Sequence, residues 1–321
     1  MSHQGDAAHM LPASMVFIER DWLSSNQVVF HDSPGQASLV DTGYIKHKGL
    51  TERLVDHACA GRSLQRIVNT HLHSDHCGGN RLLADKHPCD ILVPEASFDA
   101  ARQWNEAALS FHATGQRCDR FTPTQPIAPG QLLTLGGLPW RVYAAPGHDP
   151  ESIVLFQEEH RILISADALW GDGFGVIFPE LAGESGFAEQ EAILEVIRSL
   201  QPSHVIPGHG PLFSDVGAAL ERAEARLAFL RSQPQKHAQY ALKVLVKFLM
   251  LDREVVNTED FVTHLCGAQV PQNACRILNT SVKNGLQSAI DSMVRAGQLF
   301  TSAHGQTLSA HPLEATGLNT A

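Results

Sequence analysis

The chain has 321 residues, of which 43% are hydrophobic, and a formal net charge of -10 at pH 7. A chain of this length can bury a large core, so one large domain and a smaller one are expected. The acidic balance argues against a general nucleic-acid binder, and no stretch approaches the roughly 18 to 20 consecutive apolar residues of a membrane span.

The N-terminal two thirds of the chain alternate short β-branched runs with helical patterns. Each run is bounded by Gly, Pro, Asn or Asp, which is typical of strands. Apolar residues recur at helical spacing over 189–200 and, more weakly, over 215–231, so helices are predicted there. This alternation indicates an α/β fold. The strands are predicted at residues 27–30, 38–40, 66–70, 90–93, 140–144, 161–165 and 204–206.

The third predicted strand leads into a cluster of metal-binding residue types, THLHSDHCGG at 70–79. His71 and His73 project to the same side through the two-residue period of extended chain, and Asp75 and His76 follow as the chain turns. Crowding imidazoles and a carboxylate is unfavourable without a cation among them. The cluster therefore predicts a metal site.

Three further donors follow later strands in the same way. His148 comes after a strand and a Pro-Gly turn, Asp167 comes directly after the next strand, and His209 follows the strand at 204–206. Together with the first cluster they make seven donors, enough for two metal ions.

Two aromatic segments are predicted to shape a substrate pocket beside the metals. The insertion at 95–125 has a helical pattern and is expected to form a lid, and the loop at 170–186 begins just after Asp167. Packing against the hydrophobic core is the alternative role for these rings. The predicted pocket residues are Trp104, Phe111, Trp170, Phe174 and Phe178.

The chain changes in character near Pro234. Up to residue 233 it has 17 basic and 28 acidic residues, and beyond that point 7 and 6. Three helices, the second with Thr258 as its N-cap, and a hairpin around an Ala-His-Gly turn describe a winged helix over 235–313. The helices are predicted at 241–251, 258–265 and 282–296, and the strands at 298–302 and 306–310.

A winged helix invites a DNA-binding interpretation, with its third helix in the major groove. That helix offers Lys283 and Arg295 and little else, too few cations to anchor phosphates. The small domain is therefore expected to wall the active-site cleft or to form a homodimer contact, with nucleic-acid binding as the alternative.

The cysteines and the chain start predict a cytoplasmic protein. The six cysteines show no CxxC pairing, which suits free thiols in a reducing compartment. The polar start MSHQGDAAHM lacks the charged-then-apolar layout of a signal peptide.

The motifs HLHSDH at 71–76, His148, Asp167 and His209, preceded by DTG at 41–43, resemble those of the metallo-β-lactamase superfamily. The resemblance covers roughly residues 25–215, within a catalytic domain expected at 15–233. It implies an αββα sandwich, in which two mixed sheets face each other with helices outside and the metals at one sheet edge. The family's frequent His-Thr-Pro-Gly-Ser is replaced here by HDPES at 148–152.

The resemblance also implies a role for each donor. His71, His73 and His148 would hold one metal, Asp75, His76 and His209 the other, and Asp167 would bridge them. Imidazole and carboxylate donors suit zinc, and iron or manganese would also accept them. Two such metals share a water and present it as a bridging hydroxide. Asp75 would orient that hydroxide and pass a proton to the leaving group.

The expected function is that of a binuclear metal-dependent hydrolase acting on a small thioester or ester, since glyoxalase II type thioesterases share the seven-ligand set. Many true β-lactamases of the family have cysteine where Asp167 stands, which disfavours antibiotic hydrolysis. The alternatives are a metal-dependent endoribonuclease or phosphodiesterase, a lactonase, a mononuclear iron persulfide dioxygenase, and a DNA-binding regulator whose metal site senses a ligand.

Overall fold

The computed structural model of this chain describes residues 11–302 and 305–312. Residues 303, 304 and 313, which belong to the predicted winged helix, lie outside the described residues. The described residues divide into two compact units: the first contains those up to 111 and 117–231, and the second contains 112–116 and those from 232 onward. In the described residues, no helix is both long enough and apolar enough to cross a membrane.

The first unit contains two sheets. One has six strands, β1 (Met15–Ile18), β2 (Gln27–Ser33), β3 (Gln36–Val40), β4 (Ser63–Val68), β5 (Asp90–Pro94) and β6 (Gln125–Ile127), which lie side by side in chain order. Strands β1 to β3 pair antiparallel, and β3 to β6 pair parallel.

The other sheet has five strands, β7 (Leu132–Leu135), β8 (Leu138–Ala144), β9 (Ile153–Gln157), β10 (Ile162–Ala166) and β11 (His204–Pro207). Their order is β11-β10-β9-β8-β7, and every pair is antiparallel except β10 with β11. Since β8, β10 and β11 run in the same direction, their carboxyl ends lie at the same end of the sheet.

Eight helices begin in the described part of the first unit, and a short 3-10 turn spans Ile45–His47. They are α1 (Lys48–Cys59), α2 (Ser74–Cys77), α3 (Asn80–Lys86), α4 (Glu95–Gln103), α5 (Phe111–Thr114), α6 (Pro179–Ala182), α7 (Phe187–Leu200) and α8 (Val216–Ser232).

The core of the first unit is layered. Val28 and Phe30 of β2 join the apolar cluster between the two sheets, whereas Val29 packs with α1, α3 and α4 on the outer side. This separation follows from the two-residue period of a strand. On the other sheet, Val154 and Phe156 pack with α7 and α8. The layers are helix, sheet, sheet and helix, which confirms the expected αββα sandwich.

The second unit is mainly helical. Its described elements are α9 (Pro234–Arg253), β12 (Val255–Asn257), α10 (Thr258–Cys266), α11 (Gln269–Ile277), α12 (Val282–Arg295), β13 (Phe300–Thr301) and β14 (Thr307–Ser309). The strands form a small sheet in the order β12-β14-β13.

Two details of the second unit correct the sequence predictions. It has a fourth helix, α11, and a third strand, β12, in addition to the predicted hairpin. The N-cap of α10 is Asn257 rather than Thr258, because the Asn257 side chain accepts hydrogen bonds from the backbone N–H groups of Glu259 and Asp260.

In the first unit, all seven predicted strands form, but β1, β6, β7, β9 and α1 were not predicted. Strands β1, β6 and β7 are short sheet edges, and β6 contains Pro126, which is tolerated only at an edge. Strand β9 is buried along its whole length, so it lacks the alternation of a half-exposed strand.

Candidate metal centre

The seven predicted donors come together just beyond the carboxyl ends of β4, β8, β10 and β11. Their ligand atoms form three overlapping groups, within each of which all atoms lie within 4.8 Å of one another. The groups are His71, His73 and His148, then His71, His76 and Asp167, then Asp75, His76 and His209.

Three imidazoles form one end of the centre. The Nδ1 atom of His73 lies 2.8 Å from His148 Nε2 and 3.1 Å from His71 Nε2. His148 Nδ1 lies 2.6 Å from the carbonyl oxygen of Val176, and since a carbonyl only accepts, this nitrogen carries the proton and Nε2 keeps its lone pair for the centre. His73 Nε2 faces Asp149 Oδ2 at 3.4 Å.

The other end of the centre is formed by Asp75, His76 and His209. His209 Nε2 lies 3.1 Å from Asp75 Oδ2. His76 Nδ1 donates to Asp41 Oδ2 at 2.8 Å, which leaves its Nε2 turned inward. The Asp41 carboxylate is itself fixed by two hydrogen bonds from Thr70, one from the backbone N–H and one from the hydroxyl.

Asp167 lies between the two ends. Its Oδ2 is 3.3 Å from His148 Nε2, and its Oδ1 is 3.4 Å from His76 Nε2. The indole N–H of Trp170 donates to Oδ1 at 3.1 Å and holds the carboxylate in this position. Each oxygen of one buried carboxylate therefore faces a different end of the centre.

Burial and mutual repulsion keep the first three imidazoles neutral. Burial lowers the pKa of His148 to about 4, with repulsion from His73 adding to it. Burial also lowers the pKa of His73, and it holds the pKa of His71 well below its ordinary range. Neutral imidazoles are the form that binds a metal.

At the other end of the centre, nearby carboxylates raise a histidine pKa instead of lowering it. Although burial acts against it, Asp167 and Asp41 raise the pKa of His76 well above its ordinary range. Burial likewise opposes ionisation of Asp167, but His76 and His209 hold its pKa well below the usual value. At this end the His76 imidazole and the Asp167 carboxylate therefore stabilise each other's charged forms.

These residues fit a metal. His76 Nε2 is buried and makes no hydrogen bond within the described residues, and the neighbouring donors are imidazole nitrogens and carboxylate oxygens. A divalent cation would neutralise the carboxylates and use the inward lone pairs.

Two glycines allow the surrounding loops to approach the donors. A Cβ at Gly208 would overlap Asp167 Oδ1, and a Cβ at Gly175 would overlap the His148 ring. Gly175 lies in the loop after β10, and Gly208 directly follows β11. Glycine is required at both positions because a side chain would collide with a donor.

The five aromatic residues predicted to line a pocket have different surroundings. Trp170 lies at the donors, with its ring 5.3 Å from that of His209. Trp104 and Phe111 pack in the apolar cluster beside the six-stranded sheet, Phe174 is fully buried in the cluster under α7 and α8, and Phe178 is half-buried where α6 begins. For these four rings, pocket lining stays a prediction.

Three residues at the centre were not assigned a role from the sequence. Asp41 and Asp149 face ligand histidines, and Trp22 stacks on His209 with ring centroids 4.5 Å apart. Asp41 belongs to the DTG motif, and Asp149 belongs to the HDPES segment that differs from the family pattern. Both therefore lie in segments that the sequence analysis had singled out. Trp22 gave no comparable signal.

The comparisons with known proteins agree with this geometry. The family model described as the metallo-beta-lactamase superfamily matches residues 20–209. A hydroxyacylglutathione hydrolase of Idiomarina loihiensis is 27% identical over 177 residues, which cover 54% of this chain and 58% of that protein. An acyl-coenzyme A thioesterase of Homo sapiens is 25% identical over 210 residues, which cover 61% of this chain and 74% of that protein.

Solved structures show the same fold. A β-lactamase domain protein from Burkholderia ambifaria superposes with a TM-score of 0.55 at 18% identity and covers 94% of this chain and 96% of its own. A protein solved in a di-iron-bound form gives a TM-score of 0.52 at 22% identity and covers 65% of this chain and 98% of its own. The match to the first curated relatives spans only about half of their length.

Proposed function

Because this chain belongs to the metallo-β-lactamase superfamily, we propose that it is a metallo-hydrolase that uses two divalent metal ions to hydrolyse a thioester or ester. One observation carries the proposal: the buried Asp167 turns one oxygen toward His148 and the other toward His76. A carboxylate in this position can serve both ends of the centre at once, which suits a two-metal site.

When bound, the two ions would lower the pKa of a water molecule and polarise the substrate carbonyl. The protein itself supplies the group that transfers protons. A hydrogen bond from His209 and the charge of His76 lower the pKa of Asp75 despite its burial, so this carboxylate is ionised and can accept a proton. Asp75 is placed to orient the attacking water and to return the proton to the leaving thiol or alcohol.

The choice of an acyl substrate is supported by the relatives. The names of the two relatives given above, a hydroxyacylglutathione hydrolase and an acyl-coenzyme A thioesterase, both describe acyl groups carried on a thiol. A centre of imidazoles and carboxylates suits zinc first, and a structural neighbour that binds two iron ions supports iron as the alternative.

The proposal extends to partner and compartment. The substrate is a small molecule, and the second unit is a winged helix that forms a homodimer contact rather than binding nucleic acid. All six cysteines are free, which supports the cytoplasm.

The test is hydrolysis of a panel of small thioesters and oxyesters by the zinc-loaded protein. Wild-type protein is expected to turn over at least one of them, and Asp75→Ala and Asp167→Ala are expected to lose at least about 100-fold in kcat/KM. Asp172→Ala is the matched control, because Asp172 is fully exposed in the loop after Asp167. Cleavage of phosphodiesters without any acyl hydrolysis would overturn the proposal.

A further inference from the structure

Trp22 stands apart from the other tryptophans of the first unit. Its side chain is 47% exposed, whereas Trp140 is fully buried and Trp104 and Trp170 are partly buried. An exposed indole keeps a large apolar face in water, where it is available to a ligand.

The exposed ring is attached to the metal centre. Trp22 lies parallel to the His209 ring, with centroids 4.5 Å apart and an interplanar angle of 5°. Trp170 stands nearly perpendicular to Trp22, with centroids 6.4 Å apart and an angle of 82°. The two indoles form an aromatic corner, defined here as Trp22 with Trp170, on the side of the centre that holds Asp75 and His209.

Both walls of the aromatic corner are held in place. Trp170 donates its indole N–H to Asp167. The segment after Trp22 is tied to both neighbouring loops, because Ser25 N–H donates to the carbonyl of Asp75 at 2.9 Å and Asn26 N–H donates to the carbonyl of Gly208 at 2.7 Å.

The Asn26 side chain adds two further bonds, from Nδ2 to the carbonyls of Pro207 and Gly210, so it holds the chain on both sides of His209. A wall fixed in this way loses little conformational entropy when a ligand packs on it.

We propose that the aromatic corner is a specificity subsite for a planar aromatic ring of the substrate, with Trp22 as its specificity-determining residue. The inference rests on the proposed thioesterase function and names its substrate class. Such a ring would pack on the exposed part of Trp22 and against Trp170, since aromatic rings favour stacked and edge-to-face contacts. The ring could belong to the acyl group or to the thiol carrier.

The experiment uses four thioesters that separate these two sources: the acetyl and phenylacetyl esters of N-acetylcysteamine and of coenzyme A. The zinc-loaded wild type, Trp22→Ala and Trp22→Phe are compared, with Phe229→Ala as the control, because Phe229 is an aromatic residue of similar exposure (52%) on α8. Turnover, equilibrium binding by ligand-observed NMR and zinc per chain are measured for each protein.

The wild type is expected to prefer a ring-bearing ester. Trp22→Ala should raise the KM and the dissociation constant of that ester by about 5- to 10-fold, with kcat and zinc content unchanged, since an aromatic pair contributes roughly 1 kcal/mol. Trp22→Phe should restore most of the loss. A preference that follows phenylacetyl assigns the ring to the acyl group, and one that follows coenzyme A assigns it to the carrier.

Two outcomes would overturn the subsite. In one, Trp22→Ala weakens all four esters equally. In the other, the Trp22→Ala variant loses zinc, which would mean that Trp22 only holds His209 in position. Failure of the proposed function is distinguishable, because wild-type protein would then bind ring-bearing esters in a Trp22-dependent way without hydrolysing them. If none of the four esters binds, both ideas fail.

Discussion

At the scale of single residues, the centre depends on groups that touch the histidines from outside. Val176 contacts His148, Asp41 contacts His76 and Asp149 faces His73. These partners decide which ring nitrogen carries the proton and which keeps its lone pair. The most distinctive of them is Asp149, because it lies in the HDPES segment that departs from the family pattern.

Asp149→Asn should weaken metal binding by roughly 10-fold, because the change keeps the shape of the side chain and removes the charge that faces His73 Nε2 at 3.4 Å. Competition with a chelator of known affinity measures the effect. The matched control is Asp172→Asn, which removes a fully exposed carboxylate from the same unit. Equal affinity in the two variants would show that Asp149 does not support His73.

The depressed histidine pKa values predict a pH dependence for the metal-free protein. Burial lowers the pKa of His148 to about 4 and also lowers those of His71 and His73, whereas unfolded histidines titrate near 6.5. Between these values the unfolded state binds more protons, so the free energy of unfolding should fall as the pH drops from about 6.5 to about 4. His148 alone would contribute roughly 3 kcal/mol.

Groups whose pKa is raised in the folded protein act in the opposite direction. His76 has a raised pKa and is protonated in both states below about pH 6.5, so it loses its contribution only at higher pH. Burial raises the pKa of Asp149, which offsets part of the slope at the acidic end. Urea unfolding of chelator-treated protein across this range tests the prediction. His148→Gln should flatten the slope, and an unchanged slope would contradict the assignment.

At the scale of elements, the donors lie where strands end and turns begin. The backbone turns beyond each strand end. Gly175 and Gly208 have no side chain, so the loops that contain them can approach the donors closely. The sequence showed the donors and their strands, but it did not show which glycines touch them, since that contact joins segments far apart in the chain.

Gly208→Ala should therefore displace Asp167 and lower the metal content, because the new Cβ would overlap Asp167 Oδ1 and press on the Ala166 backbone. Metal per chain and far-UV circular dichroism measure occupancy and fold. Gly217→Ala is the control: nothing lies within 4 Å of its Cβ, and it should bind metal normally and gain up to about 1 kcal/mol of helix stability. Full metal content in Gly208→Ala would refute the predicted clash.

At the scale of the whole molecule, metal binding should be coupled to the stability of the first unit, since all seven donors belong to it. Removing the metal with a chelator should lower the midpoint of its thermal unfolding. At free metal about 1,000-fold above the dissociation constant, the bound form gains roughly 4 kcal/mol.

Calorimetry with and without chelator, followed by zinc readdition, measures this coupling. Asp167→Ala should show a smaller response. A transition that neither the chelator nor zinc moves would mean that the donors do not hold a metal in the folded protein.

The sequence by itself determined the α/β class, seven of the eleven strands described in the first unit, the change of character near Pro234 and the seven His and Asp residues that cluster in the structure. Each of these depends on local periodicity or on residue types placed at strand ends. The sequence did not predict strand β9, because this strand is buried along its whole length and lacks the alternation of apolar and polar residues. It also did not predict the edge strands β1, β6 and β7, which are too short to show that alternation.

Only the tertiary structure decided which groups support the donors and what surrounds them. Asp41 meets His76, Asn26 meets the His209 loop, and Trp22 covers His209 across 187 residues of chain. These contacts arise because the two sheets bring distant strand ends to one edge, and no pattern of local spacing encodes a contact between segments so far apart in the chain.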